Sequence, residues 1–452
     1  MRLPHDLHVN RAACARVQVP FEALKYLTGE CNYGGRVTDD LDRRLLATML
    51  ADVYRHEAVA TAHFKLSPTS GTYSIPADGS LKSHNDFIRS LPLNDTAQAF
   101  GLHENAEIAV ALSDAHTLLS TASAFVSASA RQDTGAHAAP DSKDDKPAST
   151  ATGSAEHAGM TRADAALYAM AVDIVSKLPP AFDVERVEVL YPVDYNQCLN
   201  TVLVQECIRF NGVIQVVRAS LLDIQKALRG VSIMSAELEA VALAMAQGRV
   251  PAAWKAVSYP SVKPLASWVL DLVQRLAFLQ QWIDAGPPAV FWISGFFFTQ
   301  SFLTGVRQNF ARRHKLPIDE LAYDFHVLPT AACEQHAAGK LPPPTDGAIV
   351  TGLFLQGARW DASAGCLAES MPRELFTPLP LMHLCPRRTT DIDAEAKVYD
   401  CPVYKESLRA GTLSTTGHST NLIMTVKLPV GPAHSVSHWI KRGVALISQL
   451  DV

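Results

Sequence analysis

Ala289-Val290-Phe291-Trp292-Ile293-Ser294-Gly295-Phe296-Phe297-Phe298 is the most apolar window of the chain, and it gives way at once to Thr299-Gln300-Ser301. A bilayer span needs about 20 apolar residues, so a run this short reads as buried core. Its two flanks differ in period. Upstream, Leu265, Trp268, Val269, Leu272, Leu276, Leu279 and Ile283 fall on one face of a helix that Pro264 opens and Gly286-Pro287-Pro288 close. Downstream, 321–327 and 422–428 have strand composition, and 348–356 and 379–384 are apolar runs between Pro, Gly and Asp turns. The window thus sits where a helical layer meets a β-rich one. The fold class read is α+β, with a barrel or sandwich-like module closing the chain. Trp292, Phe296 and Phe298 are expected in the core that joins the two halves.

Further upstream the pattern stays helical. A helix is expected over about 196–228, stopped by Gly230 and with a break near Asn211-Gly212. Ser235 caps the next one, with Glu237 and Glu239 in its first turn, and Gly248 and Pro251 end it. Between 127 and 159 there is no Val, Ile, Leu, Met or aromatic residue. Such a segment has too little apolar surface to offset its ordering entropy, so residues 126–160 are expected to be a disordered linker, open to proteases. Before it, 41–50 repeats apolar residues at helical spacing behind Asp39, Asp40 and Asp42. Turn formers fill 68–79, and a short helix follows near 85–91. The expected organisation is a helical part (1–125), the linker, a helical half (161–319) and a β-rich half (320–452).

Composition excludes several functions. Of 452 residues, 48% are hydrophobic and 19% charged, enough for sizeable cores, and the net charge of −5 gives no footprint for nucleic acid or an anionic membrane. The basic run Arg312-Arg313-His314-Lys315 reads as a solvated helix end. Eight cysteines (14, 31, 198, 207, 333, 366, 385 and 401) form no C-x-x-C pair, and no apolar signal follows Met1; a reducing, intracellular setting is expected.

Three motifs come close to catalytic patterns. Gly29-Glu30-Cys31-Asn32-Tyr33-Gly34 has the glycine spacing of a phosphate loop, but Gly35-Arg36 stands where Lys-Ser/Thr is required, and no Walker-B strand is visible. Gly417-His418-Ser419-Thr420-Asn421 lacks the second glycine of a nucleophile elbow, so a serine hydrolase using Ser419 and His418 is a remote alternative. His56-Glu57 begins a zinc-protease pattern, yet residue 60 is alanine, and the sixteen histidines show no ligand spacing on a shared face. Trp268, Trp282, Trp292 and Phe296–Phe298 lack the interleaved basic residues of a base-stacking platform.

The longer strings carry a resemblance. Tyr26–Asp40 (YLTGECNYGGRVTDD) with Asp42-Arg43-Arg44, and Phe100-Gly101-Leu102-His103-Glu104-Asn105-Ala106, resemble the lid of the sixth AAA+ module in dynein heavy chains. LNTVLVQE at 199–206, MSAELE at 234–239, SYPSVKPL at 258–265, FWISGFFFTQSFLTG at 291–305, GLFLQGARWD at 352–361, LSTTGHSTN at 413–421 and WIKRGVAL at 439–446 resemble the dynein C-terminal domain, in family order. The segments 296–305, 357–361 and 415–421 resemble the axonemal type. The resemblance marks Gly29, Glu30, Asn32, Tyr33, Gly34, Gly35, Arg36 and Asp39 as structural motif positions in the lid. In the C-terminal domain it marks Gly295, Gly305, Gly357, Arg359, Trp360, Asp361, Gly417, His418, Ser419 and Asn421. It implies no catalytic, nucleotide-binding or metal site in this chain, and a structural and regulatory part of a minus-end-directed microtubule motor. ATP and magnesium would belong to the parent motor. The implied partners are the AAA+ ring of the same heavy chain, with intermediate and light chains and microtubules reached through the complete motor, in a ciliary or flagellar axoneme. A stand-alone scaffold derived from such a protein is the other alternative. Because Met1 would fall inside the sixth module on this resemblance, the chain is expected to be either a fragment or one whose partner segments are encoded elsewhere.

Overall fold

The computed structural model describes residues 19–67, 69–133, 161–392, 397–409, 411–412 and 419–450, and for 120 and 123–133 the backbone alone. The N-terminal part is helical: α1 (Phe21–Tyr26), a π-helical turn over Leu27–Asn32, α2 (Asp40–Val53), α3 (His56–Ala60), α4 (Leu81–Ser90) and α5 (Asn105–Asp133). Asp39 caps α2 by accepting from the Leu41 and Asp42 amides, and Ser80 caps α4. Among the described residues this part buries only Ala58, Ser67, Ala97, Ala99 and Asn105. Its described residues form next to no core of their own. The backbone of α5 stays helical to Asp133, past the boundary expected at 125. Its Ala- and Ser-rich end has few apolar side chains to bury, but alanine keeps a high helix propensity regardless. Residues 134–160, the rest of the expected linker, lie outside those described.

The helical half of the C-terminal part is built round one long helix. In chain order it has α6 (Arg162–Lys177), α7 (Val184–Leu190), α8 (Cys198–Leu228), α9 (Ala236–Ala246), α10 (Ala252–Val257) and α11 (Leu265–Ala285). Helix α8 contacts all the other five and buries eleven residues, from Cys198 to Ile224. It does not break at Asn211-Gly212. The Asn211 side chain instead accepts from the Phe182 amide and donates to the Phe182 carbonyl, both at 2.8 Å, tying the α6–α7 connection to the helix. Ser235 caps α9 as expected, and Gly230 and Gly248 take the left-handed conformation just past α8 and α9.

Strands begin earlier than the expected boundary at 320. After β1 (Val290–Trp292) come α12 (Thr299–His314), β2 (Leu321–Val327) and α13 (Thr330–Ala337). Then follow β3 (Ala348–Thr351), β4 (Phe354–Gln356), β5 (Arg359–Asp361), β6 (Cys366–Ala368), β7 (Phe376–Pro378) and β8 (Met382–Arg388). The last elements are β9 (Val398–Glu406), β10 (Leu422–Pro429), α14 (Val436–Lys441) and β11 (Ala445–Gln449). One sheet has the order β1-β3-β8-β2, a second β10-β9-β11-β4-β7, and β5-β6 form a ribbon. Both larger sheets are mixed, with β1 parallel to β3 and β11 parallel to β9. Among the described residues they remain separate open sheets and close no barrel. The apolar run 348–356 is split between them at Gly352, φ +89°, where an added Cβ would lie 2.6 Å from the Trp292 indole. Gly305 is needed for a different reason: α12 approaches α8 so closely that a Cβ there would sit 3.2 Å from Leu199 and Val202.

One continuous core runs from Ala171 on α6 to Leu446 on β11, and Phe291, Ile293 and Phe296 of the window 289–298 lie inside it. Phe296 is 3% exposed and stacks on Phe302 at 4.4 Å. Trp292 is only half-buried. Phe298 corrects the expectation: it is 46% exposed, with the Arg209 guanidinium 5.4 Å from its ring centre. The buried Glu206 carboxylate accepts from both the Phe297 and Phe298 amides, fixing the chain as it turns into α12 and leaving the Phe298 ring outside. Burial pushes the Glu206 carboxyl up, against those amides and Arg209.

A buried ion pair within α11, which apolar periodicity does not reveal, also reaches the β-rich half through Arg275. Arg275 on α11, 2% exposed, donates from Nε to Asp271 at 2.6 Å. Its other nitrogens reach the Ser294 and Phe296 carbonyls and the Gln449 side chain of β11, and its guanidinium covers the Tyr259 ring at 3.8 Å. Lys263 adds a 3.3 Å contact to Asp271.

Candidate functional site

The expected motif residues do not converge on one pocket. Gly29, Glu30 and Asn32 lie in the π-helical turn, and Glu30 is 3.8 Å from Arg43. Tyr33, Gly34, Gly35 and Arg36 form the next turn, in which the Arg36 and Val37 amides both donate to the Tyr33 carbonyl at 2.8 Å. The Tyr33 amide itself is bonded back to Thr28, so amides that a phosphate loop would point at a ligand serve the helical backbone here. Gly295 and Gly305 are packing positions in the core and between helices. Gly357 lies between β4 and β5, and Arg359, Trp360 and Asp361 form β5. There Asp361 accepts from the Ser363 hydroxyl and amide and the Ala364 amide, which hold its carboxyl below the ordinary range. Gly417 and His418 lie outside the described residues.

Asp39, Ser419 and Asn421 do meet, across the boundary between the N-terminal helices and the C-terminal domain. Asp39 uses one carboxylate oxygen to cap α2 and the other to accept from the Ser419 amide at 3.1 Å. The Ser419 hydroxyl accepts from the Asn421 amide, and Asn421 accepts from the Glu406 amide through Oδ1 and the Lys405 amide through its carbonyl. Ser419 is thereby a docking residue held by backbone contacts. One turn along α2, Arg44 donates to the Asp400 carbonyl at 2.8 Å and to the Tyr399 hydroxyl at 3.3 Å, with its guanidinium over the Tyr399 ring. Leu41 packs on the small apolar cluster of Tyr404, Ala445 and Ile447. Further on, Asp52 pairs with Lys441 of α14 at 2.8 Å. Helix α2 therefore lies along β9, β11 and α14 by its own polar and apolar residues together.

A second attachment sits at the start of α5. Asn105, 7% exposed, donates to the carbonyls of Met371 and Glu374 at 2.9 Å each and accepts from the Arg373 amide at 2.7 Å. Arg373 has φ 67°, a left-handed conformation that a non-glycine residue keeps only when its surroundings hold it. The side chain of Asn105 satisfies all three backbone groups of that turn.

One cluster escaped the sequence reading. Glu369, just after β6, accepts from His438 of α14 at 2.5 Å, with His434 at 3.9 Å and Arg442 at 3.4 Å. The two imidazoles stack at 4.2 Å. Burial holds His438 below its ordinary range against the pull of Glu369; for Glu369 burial acts upward, but His438 and Arg442 outweigh it and keep the carboxyl low. The signal was the His434-x-x-x-His438 spacing, which puts two imidazoles on one side of a turn.

The site is thus a two-point latch that holds a helical lid with next to no core on an α+β domain. Two family comparisons cover these same two parts. Residues 6–106 match the family described as the AAA lid domain of the dynein heavy chain, and 140–448 match its C-terminal domain family. The protein is 46% identical over 434 residues to dynein axonemal heavy chain 3 of Homo sapiens, 45% over 433 residues to dynein axonemal heavy chain 12 and 43% over 436 residues to dynein axonemal heavy chain 1 of the same organism. Each alignment covers 96% of this sequence but only 10%, 13% and 9% of the respective relative, so it spans about a tenth of their length. The chain belongs to the dynein heavy chain family and carries the lid and C-terminal domain of its axonemal class.

Proposed function

We propose that this chain acts mechanically within a ciliary or flagellar motor, holding the lid of the sixth AAA+ module in a fixed position on the C-terminal domain. Support comes above all from Asn105, whose one side chain fixes three backbone groups of the 371–374 turn. A lid that buries so little within itself transmits force only if its partner domain holds it. On this reading ATP and magnesium bind elsewhere in the parent motor, whose ring of AAA+ modules is the direct partner of this portion. Intermediate and light chains and microtubules are reached through the whole assembly. The chain itself hydrolyses nothing: Gly35-Arg36 lacks the lysine and hydroxyl that phosphate and magnesium require. Calorimetric titration of the purified chain with magnesium-ATP or magnesium-ADP is expected to give no measurable heat of binding. A dissociation constant in the micromolar range would contradict the assignment.

A further inference from the structure

We propose that Glu369, His434 and His438 form a binding site for a divalent transition-metal ion of the zinc class. One imidazole pair and one carboxylate are a donor set that zinc accepts, with a solvent molecule as fourth ligand. One ligand atom from each residue lies within 4.8 Å of those from the other two. In a tetrahedral site with metal–ligand bonds of about 2.0–2.1 Å, ligand atoms stand about 3.3 Å apart. The present separations of Glu369 Oε1 from the two Nε2 atoms, 2.5 and 3.9 Å, lie on either side of that value. Shifts of under about 1 Å would bring both to it. The second carboxylate oxygen, Oε2, is buried without a hydrogen-bond partner, so the group retains acceptor capacity that its present neighbours do not use. Arg442 lies 3.4 Å from the same Oε1, and Oε2 is free to take over that contact when Oε1 turns to the ion.

Trp439, fully buried, packs edge-on against both imidazoles at 5.3 and 5.0 Å. The two rings lie 15° from parallel, so one of them turns to bring both Nε2 atoms onto a single ion. Ser435 caps α14 between the two histidines. All three candidate ligands remain about a quarter to a third exposed, which leaves an entry path. The ion would join two pieces of chain that are distant in sequence, and both carry the lid: Glu369 precedes the 371–374 turn clamped by Asn105, and α14 bears Lys441, paired with Asp52. Metal occupancy would therefore stiffen the surface on which the lid rests. The site stands independently of the motor reading, because it needs only these three side chains.

The test is zinc chloride titrated into the full chain after treatment with chelator, followed by calorimetry, beside His434→Gln and Glu369→Gln. The unaltered protein should bind one more equivalent than either variant, or bind at least about tenfold tighter at that equivalent. Both variants should keep the melting temperature of the unaltered protein in chelator. Cobalt(II) added to the unaltered protein should give the intense visible bands of four-coordinate nitrogen and oxygen ligation. Equal stoichiometry and affinity in all three proteins, or no such cobalt band in the unaltered one, would overturn the site.

Discussion

Asp271→Ala should lower the unfolding free energy by about 3–5 kcal/mol, the cost of leaving a buried charge uncompensated. Arg275 would remain 2% exposed, with only the Ser294 and Phe296 carbonyls, Gln449 and the Tyr259 ring around its guanidinium. The double change Asp271→Ala with Arg275→Met should recover much of the loss, because no charge is then buried. Chemical denaturation of the three proteins reads both effects, and a loss under about 1 kcal/mol for the single variant would contradict the pairing. The same pair gives a pH signature. Burial pushes the Asp271 carboxyl up, but Arg275, the Tyr259 hydroxyl and Lys263 outweigh it and hold it below its ordinary value. A depressed folded-state pKa adds stability that is present above the unfolded value of about 3.9 and disappears as pH falls through the folded value. The unaltered protein should therefore lose stability in acid by an increment that Asp271→Ala lacks.

Phe296→Ala should cost about 3–5 kcal/mol, as for other buried aromatic truncations. Its ring lies among Phe278, Trp282, Phe291 and Phe302, at the seam between α11, α12 and β1, so surrounding groups belong to different elements and cannot collapse together into the cavity. Phe298→Ala is the informative neighbour. Its ring is exposed and meets Arg209, so the change should cost under about 1 kcal/mol. Equal losses for the two would mean that the window is not oriented as described.

The contrast between these two phenylalanines shows what was legible. Apolar periodicity on α11, the cap at Ser235 and the stops at Gly230 and Gly286 read directly into helices, because each is a local rule acting within a few residues. Strand composition placed β2 and β10 for the same reason. Three-residue β1 was not legible, since its pairing with β3 depends on contacts 59 positions away, Val290 with Ile349. Nor was the turn of the chain at Phe298, which is set by a carboxylate on α8. The latch was half legible. Family strings marked Asp39, Ser419 and the segment containing Asn105, but only the fold shows that Asp39 meets Ser419, or that Asn105 fits the 371–374 turn. The Glu369 cluster depends on a long-range partner in the same way, although the histidine spacing alone was there to be read.

Hydrogen exchange at two backbone amides tests the latch most directly. The Arg373 amide donates to the Asn105 side chain and the Ser419 amide to Asp39, so both should be protected in the intact protein. Asn105→Ala should release Arg373 while leaving the amides of β8 and β11 protected, and Asp39→Ala should release Ser419 alongside fraying of α2. If both amides exchange at the same rates in these variants as in the unaltered protein, the lid is not held on the C-terminal domain by these residues.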